Sequence, residues 1–323
     1  CPFRAYWVIS TVQIEPLWIF NPLKKLIKNA AVFDGQRSGL AQGKKIVIED
    51  DIVTEITAGE VSEENFDEVF DGTGMVAMPG MTDAHVHMGC LFAKGEFPVD
   101  YATVLTVAKC KDALMAGFTT FRDAGSVSEG LKLAFDEGVL PGPRIYPCGA
   151  YISQTCGHGD SEYAHTYRDI QYRHPPSAVL ADGVPEIIRA VREQFYRGAS
   201  HIKLMATEIL NRHEDIRLLF GTDMMITGPD YQVEQSEDIR YYEKRFGTMR
   251  ALRALTGTAN EVFALTTYQN PYPKGKIGVL EAGAFADLLL VDGDPTKRVS
   301  VLADTDHLRL IMKGGTVYKN TLC

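Results

Sequence analysis

The chain has 323 residues, of which 45% are hydrophobic and 23% charged, and it carries a formal net charge of -9. Such a length and composition are typical of a globular protein with one large domain, or with a large domain and a smaller companion. The acidic balance excludes a general nucleic-acid-binding surface, which needs clustered basic residues to offset phosphate charge. Small molecules or proteins are therefore the expected partners.

The cysteines predict a reducing compartment. Six are spread along the chain without a CxxC pair, at Cys1, Cys90, Cys110, Cys148, Cys156 and Cys323. A long chain with scattered cysteines is more typical of free thiols than of a disulfide framework. We therefore expect reduced cysteines and a cytoplasmic protein.

Residues 1–23 are apolar, but Arg4, Glu15 and three prolines interrupt them. A membrane span needs about 20 mostly uninterrupted apolar residues, and a signal peptide needs a basic start and a small-residue cleavage site. Neither pattern is present, so we expect no membrane anchor. The segment is interpreted as an N-terminal extension, with a processed segment or a gene-model error as the alternatives.

Short β-branched runs occur near both ends of the chain. KKLIKNAAVFDG, KKIVIEDD and IVTEITAG follow residue 23, and GAFADLLLVDGDP and LRLIMKGGTVYKN lie near the carboxyl end. Glycine and aspartate divide these runs, which is the chemistry of strands and turns. We predict a small β-sandwich domain built from residues 24–78 and 275–320, with an α/β domain, residues 79–274, inserted into it.

Strands and helices alternate within the insert. The predicted strands are MVAMPGMTDAHVHMG, GFTTFRDAG, GPRIYPCGAYIS, ASHIKLMAT and IRLLFGTDM. The predicted helices are VDYATVLTVAKCKDALMAG, SEGLKLAFDEG, a segment beginning near Pro185 with Ile187, Ile188, Val191 and Phe195 on one face, and TMRALRALTGTANEVFAL. Repeated β-α units predict the α/β class and a (β/α)8 TIM-type barrel, in which reactive groups follow the carboxyl ends of the strands.

The first of these strands ends in two histidines, His85 and His87, within PGMTDAHVHMG. Positions two apart on a strand face the same side, so both imidazoles can reach one metal ion. Imidazole nitrogen suits zinc and similar divalent metals. The alternative is a pair of surface histidines, which the neighbouring Pro79, Gly80 and Asp83 disfavour.

PGMTDAHVHMG resembles the first metal-binding strand of the amidohydrolase superfamily. GFTTFRDAG, SQTCGHGD, HIKLMAT, GTD and ADLLLVDGDP resemble, in the same order, segments of the branch that contains prolyl dipeptidases, carboxypeptidases and the ochratoxin-hydrolysing amidase. The resemblance covers residues 24–320. It implies a metal-dependent hydrolase of amide bonds, although one barrel supports many chemistries.

The resemblance also assigns roles to the metal-binding residues. His85 and His87 correspond to the ligands of the more buried of two metal ions, with zinc the expected metal. Lys203 corresponds to the lysine that becomes N-carboxylated, whose carbamate bridges both ions. An ammonium cannot ligate a cation, whereas a carbamate can, and a buried lysine readily loses its proton. The alternative for Lys203 is an exposed charge at a strand end.

Asp223, in LLFGTD, corresponds to the aspartate of the last barrel strand, which binds metal and acts as general base toward the attacking water. The alternative is a helix cap. His158, in SQTCGHGD, corresponds to a substrate-binding loop histidine, and Cys156 replaces a glycine of that loop, which restricts its backbone. Arg122 and Asp123 are predicted to be structural.

Only 20 positions separate Lys203, on the predicted fourth strand, from Asp223, on the eighth. Three β-α units of about 30 residues each, or roughly 100 residues in all, are expected between them. The histidines that hold the second metal in the family should lie there. His201 would sit about 6–7 Å deeper than Lys203, and the polar contexts of His165, His174 and His213 do not favour ligands.

Two hypotheses follow from this incomplete barrel. The favoured reaction class is hydrolysis of a carbon–nitrogen bond, in a dipeptide or an N-acyl amino acid, by water activated at the metal with Asp223 as general base. The alternative is a shortened, catalytically impaired relative without a complete binuclear site. Neither the substrate side chain nor the oligomeric state is specified, so a homo-oligomer stays open.

Overall fold

The computed structural model describes residues 22–88, 99–125, 129–155, 157, 159–160, 178–204, 217–225 and 231–322. The predicted N-terminal extension lies outside this part except for its last two residues. None of the helices in the described ranges is long and apolar enough to cross a membrane. The two cysteines that these ranges place, Cys110 and Cys148, are buried free thiols.

Two sheets contain the strands from both ends of the chain. The first sheet has β1 (Lys24–Lys28), β3 (Lys45–Glu49), β4 (Ile52–Thr57) and β5 (Glu68–Asp71), in the order β4-β3-β1-β5. The second has β2 (Ala31–Val32), β6 (Val76–Pro79), β13 (Leu288–Val291), β14 (Leu308–Lys313) and β15 (Thr316–Asn320), in the order β15-β14-β13-β6-β2. The predicted strands in both terminal regions are therefore present.

The two sheets share one apolar core. Alternate residues of β3 are buried, and Ile46 and Ile48 pack in the same cluster as Leu288 and Leu310 of the second sheet. This alternation is what a sheet with one covered face requires. The residue limits of a separate small domain stay a prediction.

Gly80 divides what the sequence predicts as one strand. The run MVAMPGMTDAHVHMG forms β6 in the second sheet and β7 (Met81–His87) in a different sheet. The backbone changes partners here, because Gly80 N donates to the carbonyl of Asp287 and Met81 N to that of Gly117. A Cβ at Gly80 would lie 2.2 Å from the Thr119 hydroxyl, so the crossing admits only glycine.

The inserted segment contains parallel strands and helices. β7 pairs in parallel with β8 (Phe118–Asp123) and with β12 (Met224–Met225), and β8 pairs in parallel with β9 (Arg144–Tyr146), giving the order β12-β7-β8-β9. β10 (Tyr151–Ser153) and β11 (Ala178–Leu180) form a parallel pair beside it. The helices are α1 (Val99–Met115), α2 (Glu129–Asp136), α3 (Gly183–Tyr196), α4 (Tyr231–Phe246), α5 (Thr248–Leu255) and α6 (Gly257–Phe263).

Four of the predicted elements of the insert are wrong in detail. The predicted strand IRLLFGTDM is not a strand at residues 217–223, and only Met224–Met225 pair as β12. The third strand divides into β9 and β10 around Gly149, whose φ is +67°. The predicted fourth strand is reduced, within the described residues, to a bridge between Leu204 and Ile152. The last helix breaks into α5 and α6 at Thr256, whose φ of -134° and ψ of -99° are not helical.

Two further differences concern helices. On α3 the predicted apolar face is displaced, since Ile188 is 43% exposed while Ala190 and Gln194 are buried. Helix α4 was not predicted, because its composition is strongly polar. Its buried Ile239 packs in the large core cluster together with the partly buried Tyr242, and this spacing of three residues is helical.

Candidate metal centre

His85 and His87 lie at the carboxyl end of β7, as the TIM-type prediction requires of reactive groups. Their ring centroids are 5.4 Å apart. The His85 side chain is 39% exposed and that of His87 is 11% exposed. Both imidazoles therefore face one half-open site at the end of the parallel sheet.

Asp223 joins the two histidines from the neighbouring strand. It immediately precedes β12, which pairs with β7 so that Met224 lies opposite Val86. Its backbone N–H donates to the carbonyl of His85 at 2.8 Å. The carboxylate oxygen Oδ1 lies 2.9 Å from His85 Nε2 and 3.1 Å from His87 Nε2. A strand follows Asp223 directly, so it does not cap a helix.

Lys203 is the fourth residue of the cluster and contacts both imidazoles. Its amine Nζ lies 2.8 Å from His85 Nε2 and 3.2 Å from His87 Nε2. The Lys203 carbonyl accepts a hydrogen bond from Ile152 N at 2.9 Å, which attaches this residue to the middle of β10. The structure thus brings together His85, His87, Lys203 and Asp223, which we call the metal cluster.

The charge state of His85 favours metal binding. Burial, together with the Lys203 ammonium beside it, lowers the pKa of His85 to about 4. The imidazole is therefore neutral at pH 7, which is the form whose nitrogen lone pair can ligate a cation. Lys203 as an unmodified ammonium is a donor to these nitrogens and would compete with a cation for them.

The donors in this cluster fit a divalent transition metal. One ligand atom each from His85, His87 and Asp223 lies within 4.8 Å of the others, and no other such group of three occurs in the described ranges. Two imidazole nitrogens and a carboxylate oxygen form a set typical of zinc. Catalytic zinc ions typically have three protein ligands, and their fourth coordination position is open to water or substrate.

The structure describes only some of the remaining predicted residues. His158 and Cys156 lie outside the described residues, as do His165, His174 and His213. His201 is placed, and its Nε2 donates to the carbonyl of Asp123 at 3.1 Å. Burial, with Arg122 as a further cause, lowers the pKa of His201 to about 3. His201 therefore fastens the segment before Lys203 to the end of β8.

The side chains of Arg122 and Asp123 both form hydrogen bonds with backbone groups. Arg122 Nη1 donates to the carbonyl of Ala84 at 3.4 Å. Asp123 accepts from the N–H groups of Met88, at 3.2 Å, and of Gly125, at 3.1 Å. These contacts tie the ends of β7 and β8 together, in agreement with a structural role.

Sequence reasoning missed two residues beside the metal cluster, Thr222 and Gln235, which both donate to Asp83. Burial raises the pKa of Asp83 to about 7, and the hydrogen bonds from Thr222, His85 and Gln235 oppose that shift. The sequence pattern gave Asp83 no role of its own beyond its position beside the two histidines. Gln235 could have been found from the helical spacing of α4.

Part of the chain is similar in sequence to known proteins. The family model described as the amidohydrolase family matches residues 76–215. Ochratoxinase from Aspergillus niger is 34% identical over 152 residues, which cover 41% of this chain and 31% of that enzyme. The chain thus spans about a third of the length of the curated relative it matches.

Solved structures show the same fold over most of the chain. A prolidase complexed with N-methylphosphonate-L-proline superposes with a TM-score of 0.78 at 23% identity, covering 92% of this chain and 100% of the other. Ochratoxinase from A. niger superposes with a TM-score of 0.73 at 19% identity, covering 93% and 96%. At these identities the likeness concerns the fold alone, which is of the TIM-barrel type.

Proposed function

We propose that the chain, whose residues 76–215 match the amidohydrolase family model, is a metal-dependent hydrolase of carbon–nitrogen bonds in dipeptides or N-acyl amino acids. The observation that carries the proposal is the convergence of His85, His87, Lys203 and Asp223 at the carboxyl ends of parallel strands. The names of the relatives, an ochratoxinase and a prolidase, favour amide and peptide substrates.

In the proposed site, His85, His87 and Asp223 would hold a divalent ion, with zinc the metal that their nitrogen and oxygen donors suit best. We propose that Lys203 is N-carboxylated, because a carbamate replaces a competing ammonium by an anionic oxygen ligand. A second ion on the carbamate would make the site binuclear. The position of Nζ between two imidazole nitrogens supports a ligand role for Lys203.

A bound divalent metal lowers the pKa of a coordinated water and polarises the scissile carbonyl. Asp223 accepts the proton of the attacking water and returns it to the leaving amine. Its side chain is 71% exposed, so substrate and water can reach the carboxylate. The neutral imidazole of His85 keeps its lone pair for ligation. His158 is proposed to bind the substrate carbonyl or carboxylate.

One observation favours a second candidate, a shortened relative with an impaired site. Only 12 residues, 205–216, connect Leu204 to Arg217, while a β-α unit takes about 30. Three such units cannot fit there, and the second-metal histidines are expected on them. In this alternative the chain binds one metal ion or none and turns over little substrate.

Reconstitution of the purified chain separates the two candidates. The metal-free protein is incubated with zinc and bicarbonate, and hydrolysis of N-acyl amino acids and Xaa-Pro dipeptides is followed by amine release. Native mass spectrometry reads the zinc content and a mass increase of one CO2. Lys203→Met should abolish turnover and the CO2 adduct, whereas Lys111→Met, at an exposed position of α1, should change neither.

The outcomes are distinct. Zinc-dependent turnover with the CO2 adduct supports the hydrolase. Zinc binding without turnover of any substrate in the panel supports the impaired relative. A chain that stays free of zinc under these conditions contradicts a metal-dependent activity.

A further inference from the structure

Asp83 is a completely buried carboxylate on β7, two residues before His85. Its oxygens accept hydrogen bonds from Thr222 Oγ1 at 2.9 Å and from the backbone N–H groups of Thr222 at 3.3 Å and of His85 at 3.2 Å. Gln235 Nε2 donates to the same carboxylate at 3.3 Å. A buried carboxylate is costly unless it is hydrogen-bonded, so these contacts fix the three residues together.

The contacts to Thr222 act on the backbone just before Asp223. Asp83 binds both the N–H and the hydroxyl of Thr222, and on the other side Asp223 N donates to the carbonyl of His85. Between these anchors Asp223 has a φ of +55°. A residue other than glycine stays in that region when its surroundings impose it, and aspartate tolerates it better than most residues.

Close packing leaves this segment little freedom. A Cβ at Gly221 would lie 2.7 Å from the Cβ of His85, so the backbone of residues 221–223 runs directly against the first histidine. Helix α4 packs beside the segment, because Tyr242 OH lies 3.5 Å from the carbonyl of Gly221. Gln235, on the same helix, is only 1% exposed.

The side chain of Asp223 itself is 71% exposed, so packing around the carboxylate contributes little to its position. That position is set mainly by the backbone that carries it. We propose that Asp83, Thr222 and Gln235 are positioning residues that hold the Asp223 backbone in its left-handed conformation and so aim its carboxylate at the metal ion of His85 and His87.

The inference rests on the proposed metal site and deepens it. Outer residues that orient metal ligands typically change metal affinity 10- to 100-fold when they are replaced. Thr222→Val keeps the size of the side chain and removes the hydroxyl donor to Asp83. We expect this variant to lose roughly 10- to 100-fold in zinc affinity, measured by competition with a chromogenic chelator.

Two further variants separate positioning from general damage. Thr222→Ser keeps the hydroxyl and should restore most of the zinc affinity. Thr120→Val is the matched control, because Thr120 is buried on β8 and its hydroxyl has no polar partner in the described ranges. The control should bind zinc like the unmodified chain. If Thr222→Val fails to fold, Gln235→Met removes a different donor to the same carboxylate.

A spectroscopic readout reports the geometry. Cobalt(II) replaces zinc in the unmodified chain and in each variant, and its visible absorption follows the number and arrangement of ligands. We expect Thr222→Val to change this spectrum, and Thr222→Ser and Thr120→Val to preserve it. Equal zinc affinity and an identical cobalt spectrum in Thr222→Val would overturn the inference.

The proposed function can fail separately. If the unmodified chain binds neither zinc nor cobalt, the metal-dependent activity is refuted, and a crystal structure of the metal-free Thr222→Val protein decides the positioning role. Displacement of the Asp223 carboxylate from the two imidazoles supports that role. Retention of the Oδ1 contacts of 2.9 Å and 3.1 Å to His85 and His87 contradicts it.

Discussion

Two clusters of charged side chains occupy different regions of the molecule. The metal cluster gathers His85, His87, Lys203 and Asp223 at the carboxyl end of the parallel strands. The second, which we call the buried charge cluster, consists of Arg144 at the start of β9, Asp287 just before β13 and Lys313 at the end of β14. Both bring together residues that are far apart in the sequence.

Within the buried charge cluster, each group is hydrogen-bonded. Asp287 accepts from Arg144 Nε at 2.9 Å and Nη2 at 3.2 Å, and from the N–H of Gly314 at 2.6 Å. Lys313 Nζ donates to the carbonyl of Gly142 at 2.7 Å. The Arg144 and Asp287 side chains are 10% and 3% exposed. This closed network joins the parallel sheet to the second terminal sheet.

The metal cluster differs in its exposure and in the direction of its polar atoms. Its nitrogens and carboxylate point at one another from three segments, and the Asp223 side chain is 71% exposed. In TIM-type barrels the carboxyl ends of the strands carry chemistry and the amino ends carry stability. Exposure, rather than charge or the convergence of polar atoms, therefore distinguishes the proposed metal cluster from the buried charge cluster.

Asp223→Asn is the sharpest test on the reactive side. The amide cannot accept the proton of the attacking water, and general acid–base catalysis typically contributes 10²- to 10⁴-fold. We expect turnover of an N-acyl amino acid to fall by about that factor. The unfolding free energy from urea denaturation should stay within about 0.5 kcal/mol of that of the unmodified chain. Undiminished turnover would show that Asp223 is not the base.

Asp287→Ala is the corresponding test on the structural side. It leaves the Arg144 guanidinium buried without its carboxylate, and breaking a buried pair costs about 3–5 kcal/mol. Urea unfolding should show this loss, whereas Glu261→Ala, which breaks the exposed pair with Arg217, should cost at most about 1 kcal/mol. Equal effects of the two changes would contradict the distinction between the pairs.

Lys313 gives the buried charge cluster a pH dependence. Burial lowers the pKa of Lys313 from 10.5 to about 8, although Asp287 opposes the shift. Between these values the unfolded chain binds a proton that the folded chain does not, so the unfolding free energy rises with pH across this window. The contribution is lost as the pH falls through about 8.

Replacing this lysine measures the effect directly. Relative to Lys313→Met, the unmodified chain should gain stability as the pH rises from about 8 to about 10.5, by up to roughly 3 kcal/mol. Urea unfolding at several pH values provides the comparison. Parallel pH profiles for the two proteins would show that Lys313 is not titrating in the folded chain with a lowered pKa.

Tyr272→Phe has the smallest expected effect. The Tyr272 hydroxyl accepts from Ile145 N at 2.8 Å and donates to Asp136 at 2.8 Å beside the buried charge cluster. Removing it leaves a buried N–H without its partner, which costs roughly 1–3 kcal/mol. Zinc affinity should not change. A loss of zinc affinity without a loss of stability would show that the two clusters are coupled.

The sequence predicted much of the local structure, because local patterns carry that information. Short β-branched runs divided by glycine and aspartate predicted the strands near both ends of the chain, and the two-residue spacing of His85 and His87 predicted that they share one face. Repeated strand and helix units predicted the TIM-type barrel, and the sequence motifs carried the resemblance to the amidohydrolase superfamily. Glycine marked the ends of several elements, including the end of α1 at Gly117, whose φ is +90°.

The remaining features depend on contacts between distant residues. The break at Gly80 exists because Gly80 N donates to the carbonyl of Asp287 and Met81 N to that of Gly117, and neither partner is local in sequence. The conformation of Asp223 is linked to Asp83, which lies 139 positions before Thr222. Helix α4 was missed because its polar composition outweighs its short buried stripe. His158 lies outside the described residues, so its substrate role stays a proposal.

The zinc content of the purified chain shows directly whether His85 and His87 ligate a metal ion. After incubation with zinc and bicarbonate and exhaustive dialysis, the bound metal is counted by elemental analysis for the unmodified chain and for the double variant His85→Ala, His87→Ala. We expect at least one zinc ion to be retained per unmodified chain and almost none on the double variant, if the two histidines are metal ligands. Equal zinc content in both proteins, or none in either, would contradict it.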